Sequence, residues 1–415
     1  MVSENDKRIL RELAKKVAEI SALPVHKEKA RMWNTLNRLG SVKPMVWMNE
    51  IPWHEMNVGQ ELVLMCSDEF CRAQELHLRQ QIYQWEHMRG DMVIEPVIYS
   101  PITLLDSGFG IKTEENIVSK DKNNNIVSHH FIPLIRNEED LEKIEMPRIT
   151  VDSKTTQNNY DNMQDIFGDI LRVRKRVIER MRFSPWDELV QWWGVEESMM
   201  DLVMRPEMVH KAVDRLVSAY ISRLDQYEEL NLLSLNNGNF RIGSGAYGYT
   251  DELPQKDFNP EHIRAKDLWG YAQAQIFCNV SPKMHEEFAL QYESRWLKRF
   301  GLTYYGCCEP LHRKIHILES IPNLRKISMS RWINVDEAVS NIGTRYVFSY
   351  KPNPAVFATN SWDKESAEAE LRYVLEKAKG CAVEIIMKDI STVRYEPQRL
   401  WAWAQMASEI TEQYS

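Results

Sequence analysis

Cysteine is scarce in this chain, with six in 415 residues, at positions 66, 71, 278, 307, 308 and 381. That is too few to staple a chain of this length. A disulfide scaffold is excluded, and a reducing, cytoplasmic setting is expected. No apolar run approaches the roughly 18 residues that a membrane-spanning helix needs. The segment Met1 to Glu12 is charged and has no apolar core, so no signal peptide is expected. Long Lys/Arg-rich runs are missing, and the formal net charge is −8, so nothing points to nucleic acid as a partner. There is no internal repeat of short period and no low-complexity tail. The metal-binding spacings CxxC and HxH are also missing.

What is present is a globular balance, 43% hydrophobic and 27% charged. The length suits one large barrel with additions, or two to three ordinary domains. The 13 Trp, 16 Tyr and 19 Met are a heavy load of large, polarizable side chains. Most belong in a core, and the remainder is available to line a pocket for an aromatic ligand.

Apolar positions at helical spacing (Ile9, Leu13, Val17, Ile20) predict two N-terminal helices, broken near Pro24 and ending at Gly40. Eight short apolar runs follow, at 44–48, 92–98, 181–183, 232–235, 302–307, 325–329, 346–350 and 381–387. Helical patterns separate them, notably 166–181 and 206–229. Strands that alternate with helices pair in parallel, and eight such repeats close a barrel. The expected fold is therefore an α/β TIM (β/α)8 barrel over residues 41–415, with an N-terminal helical extension at 1–40. The polar stretch 99–150 is expected to be an insertion. It would carry a hairpin of 115–118 against 126–130, turning through Asp121 to Asn125. The Gly-rich loop 243–249 does not match a phosphate-cradling spacing and is expected to be a mobile loop.

Chemistry concentrates in Leu302 to His312, where an apolar run ends in Cys307, Cys308, Glu309 and His312. Thiols, carboxylates and imidazoles bind zinc or move protons. Buried free cysteines beside a solvated Glu and His would look the same in sequence. Side chains alternate along a strand, so Cys307 and Cys308 do not both serve one metal. Cys308, Glu309 and His312 form the candidate zinc set. A second cluster follows the first run, where Asn49, Glu50, Trp53 and His54 would sit at a strand's C-terminal end. Glu50, His54, Glu309 and His312 are the candidate acids and bases. Trp47, Asn49, Trp53, Trp192, Trp193, Asn237 and Tyr305 are the candidate substrate contacts, with core packing as the alternative for the paired tryptophans. Ser281 reads as a helix N-cap followed by Pro282, which places His285 at the helix start as a surface residue. Glu293, further along that helix, is either solvated or a distant ligand.

Several segments carry a resemblance: Lys43–Met56 (KPMVWMNEIPWHEM), Ser281–Glu293 (SPKMHEEFALQYE), Gly301–His312 (GLTYYGCCEPLH), Ile321–Trp332 (IPNLRKISMSRW) and Gly380–Val393 (GCAVEIIMKDISTV). Together they resemble the uroporphyrinogen decarboxylase-like superfamily, from about residue 30 onward. Within it they are most similar to methyltransferases that pass a methyl group to a corrinoid protein, in particular those of O-demethylase systems acting on veratrol- or vanillate-like ethers. The resemblance implies a TIM-type barrel, an aryl methyl ether as substrate, and Co(I) of a separate corrinoid protein as acceptor. A homodimer is a further candidate assembly.

Two departures stand out. The decarboxylases carry arginines after the first strand, whereas residues 49–55 contain none. The thiol methyltransferases use a His-x-Cys zinc motif, whereas here Tyr305-Gly306-Cys307 stands in that place, and no later cysteine occurs in 348–357. Any zinc ligand set must therefore differ from theirs. The competing expectations are a lyase on a polycarboxylate, which would need cations from Arg313, Lys314, Arg325 and Arg331, a methyltransferase for another small methyl donor, and a scaffold without activity.

Overall fold

A computed structural model describes residues 2–118, 128–176, 178 and 181–414. The chain forms two compact units. One comprises residues 1–103, 151–177 and 351–415, and the other comprises 104–150 and 178–350. The polypeptide is mixed α/β, and most of its strand pairs are parallel, while Glu115–Val118 and Ser128–Phe131 form an antiparallel hairpin.

In the first unit the helix Glu4–Ser21 starts at Ser3, whose side chain accepts the Asp6 N–H at 3.1 Å. Ile9, Leu10, Leu13, Ala14 and Val17 form its buried face. The helix Pro24–Asn37 follows, with proline in its first turn. Strand Met45–Met48 lies parallel to Val383–Met387, in the register Met45 to Glu384 and Met48 to Met387. A second parallel pair joins Val97–Pro101 to Arg172–Arg176.

That last strand corrects the sequence reading, which put a helix over 166–181. The helix here is Ser153–Phe167, and it stops before Gly168. Residues 172–176 read Arg-Val-Arg-Lys-Arg, of which Val173 alone is buried. Ladder hydrogen bonds hold this strand, and long cationic side chains resemble a solvated helix face. The runs 181–183 and 232–235 are likewise not strands. Leu233 makes only an isolated bridge with Ile178.

In the second unit four strands run parallel in chain order: Trp269–Ala272, Leu302–Tyr305, Leu324–Met329 and Val347–Tyr350. The first of these was not expected from sequence. It reads Trp-Gly-Tyr-Ala, and a central glycine weakens a strand signal. Gly270 is there for space, because a Cβ would lie 2.3 Å from ring atoms of Phe300. Trp269, Tyr271, Leu302 and Tyr304 share one apolar cluster with Ile242 and Leu253. By alternation Thr303 and Tyr305 turn to the opposite face. A composite helix, Pro282 to Leu297, follows the first strand and contains one π turn at Glu286–Leu290.

The expected hairpin is present as Glu115–Val118 against Ser128–Phe131, and its Asn-rich turn falls outside the described residues. The helix Pro206–Glu229 spans the range its periodicity predicts. No helix among the described residues is long and apolar enough to cross a membrane.

Gly270→Ala should destabilise the second unit by about 1–3 kcal/mol, since the added methyl must displace a packed ring. A urea-unfolding midpoint equal to that of the wild type would contradict this packing.

Candidate active site

The tip of strand Leu302–Tyr305 is where ionisable side chains converge in the second unit. Gly306 ends the strand with φ +94°, a conformation that suits glycine, and a Cβ there would lie 2.4 Å from Leu311. The chain then folds back so that Glu309 Oε2 accepts the Cys307 N–H at 2.8 Å. Glu309 is 1% exposed, and its other oxygen, Oε1, has no partner. Burial raises its pKa, and the charge of Asp187 adds to the effect.

Behind the strand lies a continuous line of buried hydrogen bonds. Lys314 Nζ is 3.2 Å from His285 Nδ1, and it also donates to the Phe277 carbonyl. His285 Nε2 is 2.6 Å from the Tyr305 hydroxyl, and that hydroxyl donates to Glu293 Oε2 at 2.6 Å. His285 and Tyr305 are fully buried, Glu293 is 1% exposed and Lys314 is 3% exposed. Glu293 Oε1 has no partner.

The π turn explains how one helix serves both ends of Tyr305. In an unbroken α-helix, residues eight apart point about 80° from each other. A five-residue π segment turns about 82° per residue and brings such a pair back to within about 10°. His285 and Glu293 flank such a segment and meet the same hydroxyl. π turns are frequent at functional sites.

The environment sets the protonation states. Burial pushes Glu293 up to about 8; the Tyr305 hydrogen bond works against this, while Glu309 and Asp187 add to it. Burial and the Lys314 charge hold His285 down at about 3. Burial lowers Lys314 to about 8, and Glu309 and Cys278 work the other way. Tyr305 is raised well above its ordinary value, first by burial. At neutral pH the line therefore holds a protonated carboxyl, a neutral imidazole, a neutral phenol and an ammonium. Asp187 is held by Gln273 Nε2 at 2.8 Å and Gln275 Nε2 at 3.3 Å.

The other candidates fall in different surroundings. Trp192 and Trp193 are buried in the core; Trp192 lies edge-on to Phe109, and Trp193 donates to Asp201 at 2.9 Å. Asn237 clasps its own loop through the Leu253 carbonyl at 2.7 Å. Tyr305 is occupied with His285 and Glu293, on the helix side of the strand. Cys308 is exposed, with its Sγ 3.5 Å from that of Cys307. His312 is 8% exposed, with Nδ1 unpartnered and Nε2 3.8 Å from Glu337.

In the first unit, Trp47 packs against the hydrophobic core. Glu50 pairs with Lys388 at 3.3 Å. Asn49 donates its backbone N–H to Met387, and its Nδ2 is buried without a partner. His54 Nε2 lies 3.7 Å from Glu55, and Trp53 meets Tyr83 edge-on at 5.9 Å.

Zinc was a candidate at Cys308, Glu309 and His312. Among the described residues the one group of three whose ligand atoms all lie within 4.8 Å is Glu61, Glu86 and His87. Cys308 is exposed while Glu309 is buried, and the three do not converge. This set does not fit a zinc ion, and no step is routed through one. Sequence reading put His285 at the surface and Glu293 as solvated or a distant ligand, and it did not anticipate that they meet Tyr305 and Lys314. The π turn that aligns them leaves no trace in a 3.6-residue periodicity.

No family model matches the chain, and no curated protein matches it in sequence. Among solved structures, a methyltransferase from Methanosarcina mazei shares the fold. It has a TM-score of 0.52 and 12% identity, with 92% of this chain and 98% of that one covered.

Linkage makes Glu293 testable without an assay of function. Between its ordinary value of 4.5 and about 8, the folded chain keeps a proton that the unfolded chain releases, so this group's contribution to stability falls as pH rises through that window. His285 acts oppositely, losing stability as pH falls from 6.5 towards about 3. Glu293→Gln should therefore gain on the wild type between pH 5 and 8, by a few kcal/mol on the order of magnitude. Urea midpoints across pH read this, and a difference that does not change with pH would contradict the raised value.

Proposed function

We propose that this chain is a methyltransferase that cleaves an aryl methyl ether of the guaiacol, veratrol or vanillate type and passes the methyl group to a separate corrinoid protein. The observation that carries the reading is Glu309: a buried acid with a raised pKa and an unpartnered oxygen, one loop beyond a strand tip. The fold likeness to a methyltransferase supports it. The reading includes the (β/α)8 barrel expected from the sequence.

An ether oxygen leaves poorly as a bare phenoxide, whereas protonated it leaves as a phenol of pKa about 10. A Co(I) corrinoid, as co-substrate on its own protein, supplies the electron pair that takes the methyl carbon. The methyl–oxygen bond breaks with its pair left on oxygen. Glu309 Oε1 gives that oxygen its proton, and the phenol departs. The burial that raises the pKa of Glu309 favours the protonated form this step uses.

A polycarboxylate substrate fits less well. Arg325 is committed to Glu252 at 2.6 and 2.8 Å, Arg331 lies over Trp332, and Lys314 is buried against His285. Arg313 is 72% exposed and faces Glu337.

With guaiacol and chemically reduced cobalamin as acceptor, catechol should appear as the Co(I) absorbance falls, one for one. Glu309→Gln should lower that rate about 10²- to 10⁴-fold. If guaiacol, veratrole and vanillate all stay intact, the reading fails. An undiminished rate in the variant would remove Glu309 from it.

A further inference from the structure

The alternation that would send Cys307 and Cys308 to opposite faces ends with the strand at Tyr305. Gly306, at φ +94°, turns the chain, and the two Sγ atoms come to 3.5 Å from each other. Cys308 is exposed and Cys307 half-buried, so a small reagent reaches the pair from solvent. The methyl transfer uses neither thiol. Cys66 and Cys71 make the contrast. Both are buried, and burial pushes each up to about 12, which leaves them inert.

The backbone of the same turn is committed. The Cys307 N–H donates to Glu309 Oε2 at 2.8 Å, and the Cys307 carbonyl accepts from the Ser328 hydroxyl on the neighbouring strand. A bond between the two thiols would close a small ring that contains the 307–308 peptide. Neighbouring Cα atoms sit about 3.8 Å apart across a trans peptide, below the roughly 4.4–6.8 Å that disulfides usually span. Such a bond is strained, and strained, exposed disulfides are the readily reduced ones.

We propose that Cys307 and Cys308 are a redox modification site: a small disulfide oxidises them to a vicinal disulfide, and the closure shifts the turn that carries Glu309. That the shift also displaces an acid rests on the reading of Glu309 above; the modification itself does not.

The exchange balances in two displacements. The Cys308 thiolate, its proton gone to solvent, attacks one sulfur of the small disulfide, breaks that S–S bond and releases one small thiolate. The Cys307 thiolate, likewise deprotonated, attacks the Cys308 sulfur of the mixed disulfide and releases the second. The two small thiolates take up the two protons. The protein pair loses two electrons, and the small disulfide gains them. Closing the ring reorients the 307–308 peptide. The Cys307 carbonyl then loses the Ser328 bond, and Glu309, one residue beyond the ring, moves with the turn.

The test uses the whole chain, with oxidised and reduced glutathione as the probe and neither methyl donor nor corrinoid present. After equilibration, acid quenching and proteolysis, the peptide holding both cysteines should be lighter by two hydrogens and carry no glutathione. Excess reduced glutathione should reverse the change. In Cys308→Ser the same peptide should lose no hydrogens and gain at most one glutathione. A wild-type peptide that only gains glutathione, or stays unmodified in excess oxidised glutathione, would overturn the site. So would a disulfide that excess reduced glutathione leaves in place. Amide exchange reads the second half of the claim. The Cys307 N–H should exchange faster after oxidation, whereas Cys308→Ser treated in the same way should not change. Equal exchange in the two redox states of the wild type would overturn the link to Glu309. Neither readout involves methyl transfer, so a failure here and a failure of the guaiacol assay are distinct results.

Discussion

The hydroxyl of Tyr305 is the joint on which this site depends. It bonds His285 on one side and Glu293 on the other, and all three are buried. Removing it would leave two buried polar atoms, His285 Nε2 and Glu293 Oε2, without the bonds they make to it, each costing about 1–3 kcal/mol. The bond pair also fixes the strand against the helix. Apolar packing alone would tolerate small slides between them, but two 2.6 Å contacts to one oxygen do not.

Burial decides the charge pattern around that joint. A carboxylate placed among Tyr305, the helix Gln291–Leu297 and the neighbouring acids Glu309 and Asp187 keeps its proton, because nothing solvates the ion. An imidazole beside an ammonium stays neutral for the same reason. The ammonium of Lys314 tolerates its position because a backbone carbonyl and His285 Nδ1 both receive its protons. Asp187 is steadied by two glutamine amides at the end of the neighbouring strand. The site is thus mostly neutral although it is built from ionisable residues, which is the condition under which a carboxyl acts as an acid near pH 7.

Much of the frame was legible in the sequence. The N-terminal helices followed from the spacing of Ile9, Leu13 and Val17, and the long helix after Pro206 from the same rule. The apolar runs at 44–48, 302–307, 325–329, 346–350 and 381–387 hold the strands Met45–Met48, Leu302–Tyr305, Leu324–Met329, Val347–Tyr350 and Val383–Met387. Glu309 stood out because it follows such a run directly. What stayed hidden has specific physical causes. The strand Arg172–Arg176 has almost no buried face. The strand Trp269–Ala272 is interrupted by a glycine that exists to admit Phe300. The pair Trp192–Trp193 looks like a ligand platform until its surroundings show it inside the core. His285 looked like a surface residue because it sits in the first turn after Ser281, and α-periodicity alone gives no reason to bring Glu293 to the same point.

The π turn at Glu286–Leu290 also bears on how this chain compares with its kin. A turn of that kind holds one residue more than the α turn it replaces. Chains without the extra residue would offer the sheet a different row of side chains beyond position 290, even where their apolar spacing looks alike. An ungapped alignment through this helix would pair Glu293 with an amino acid that points elsewhere. A homologue could then seem to lack the acid while carrying it one place along.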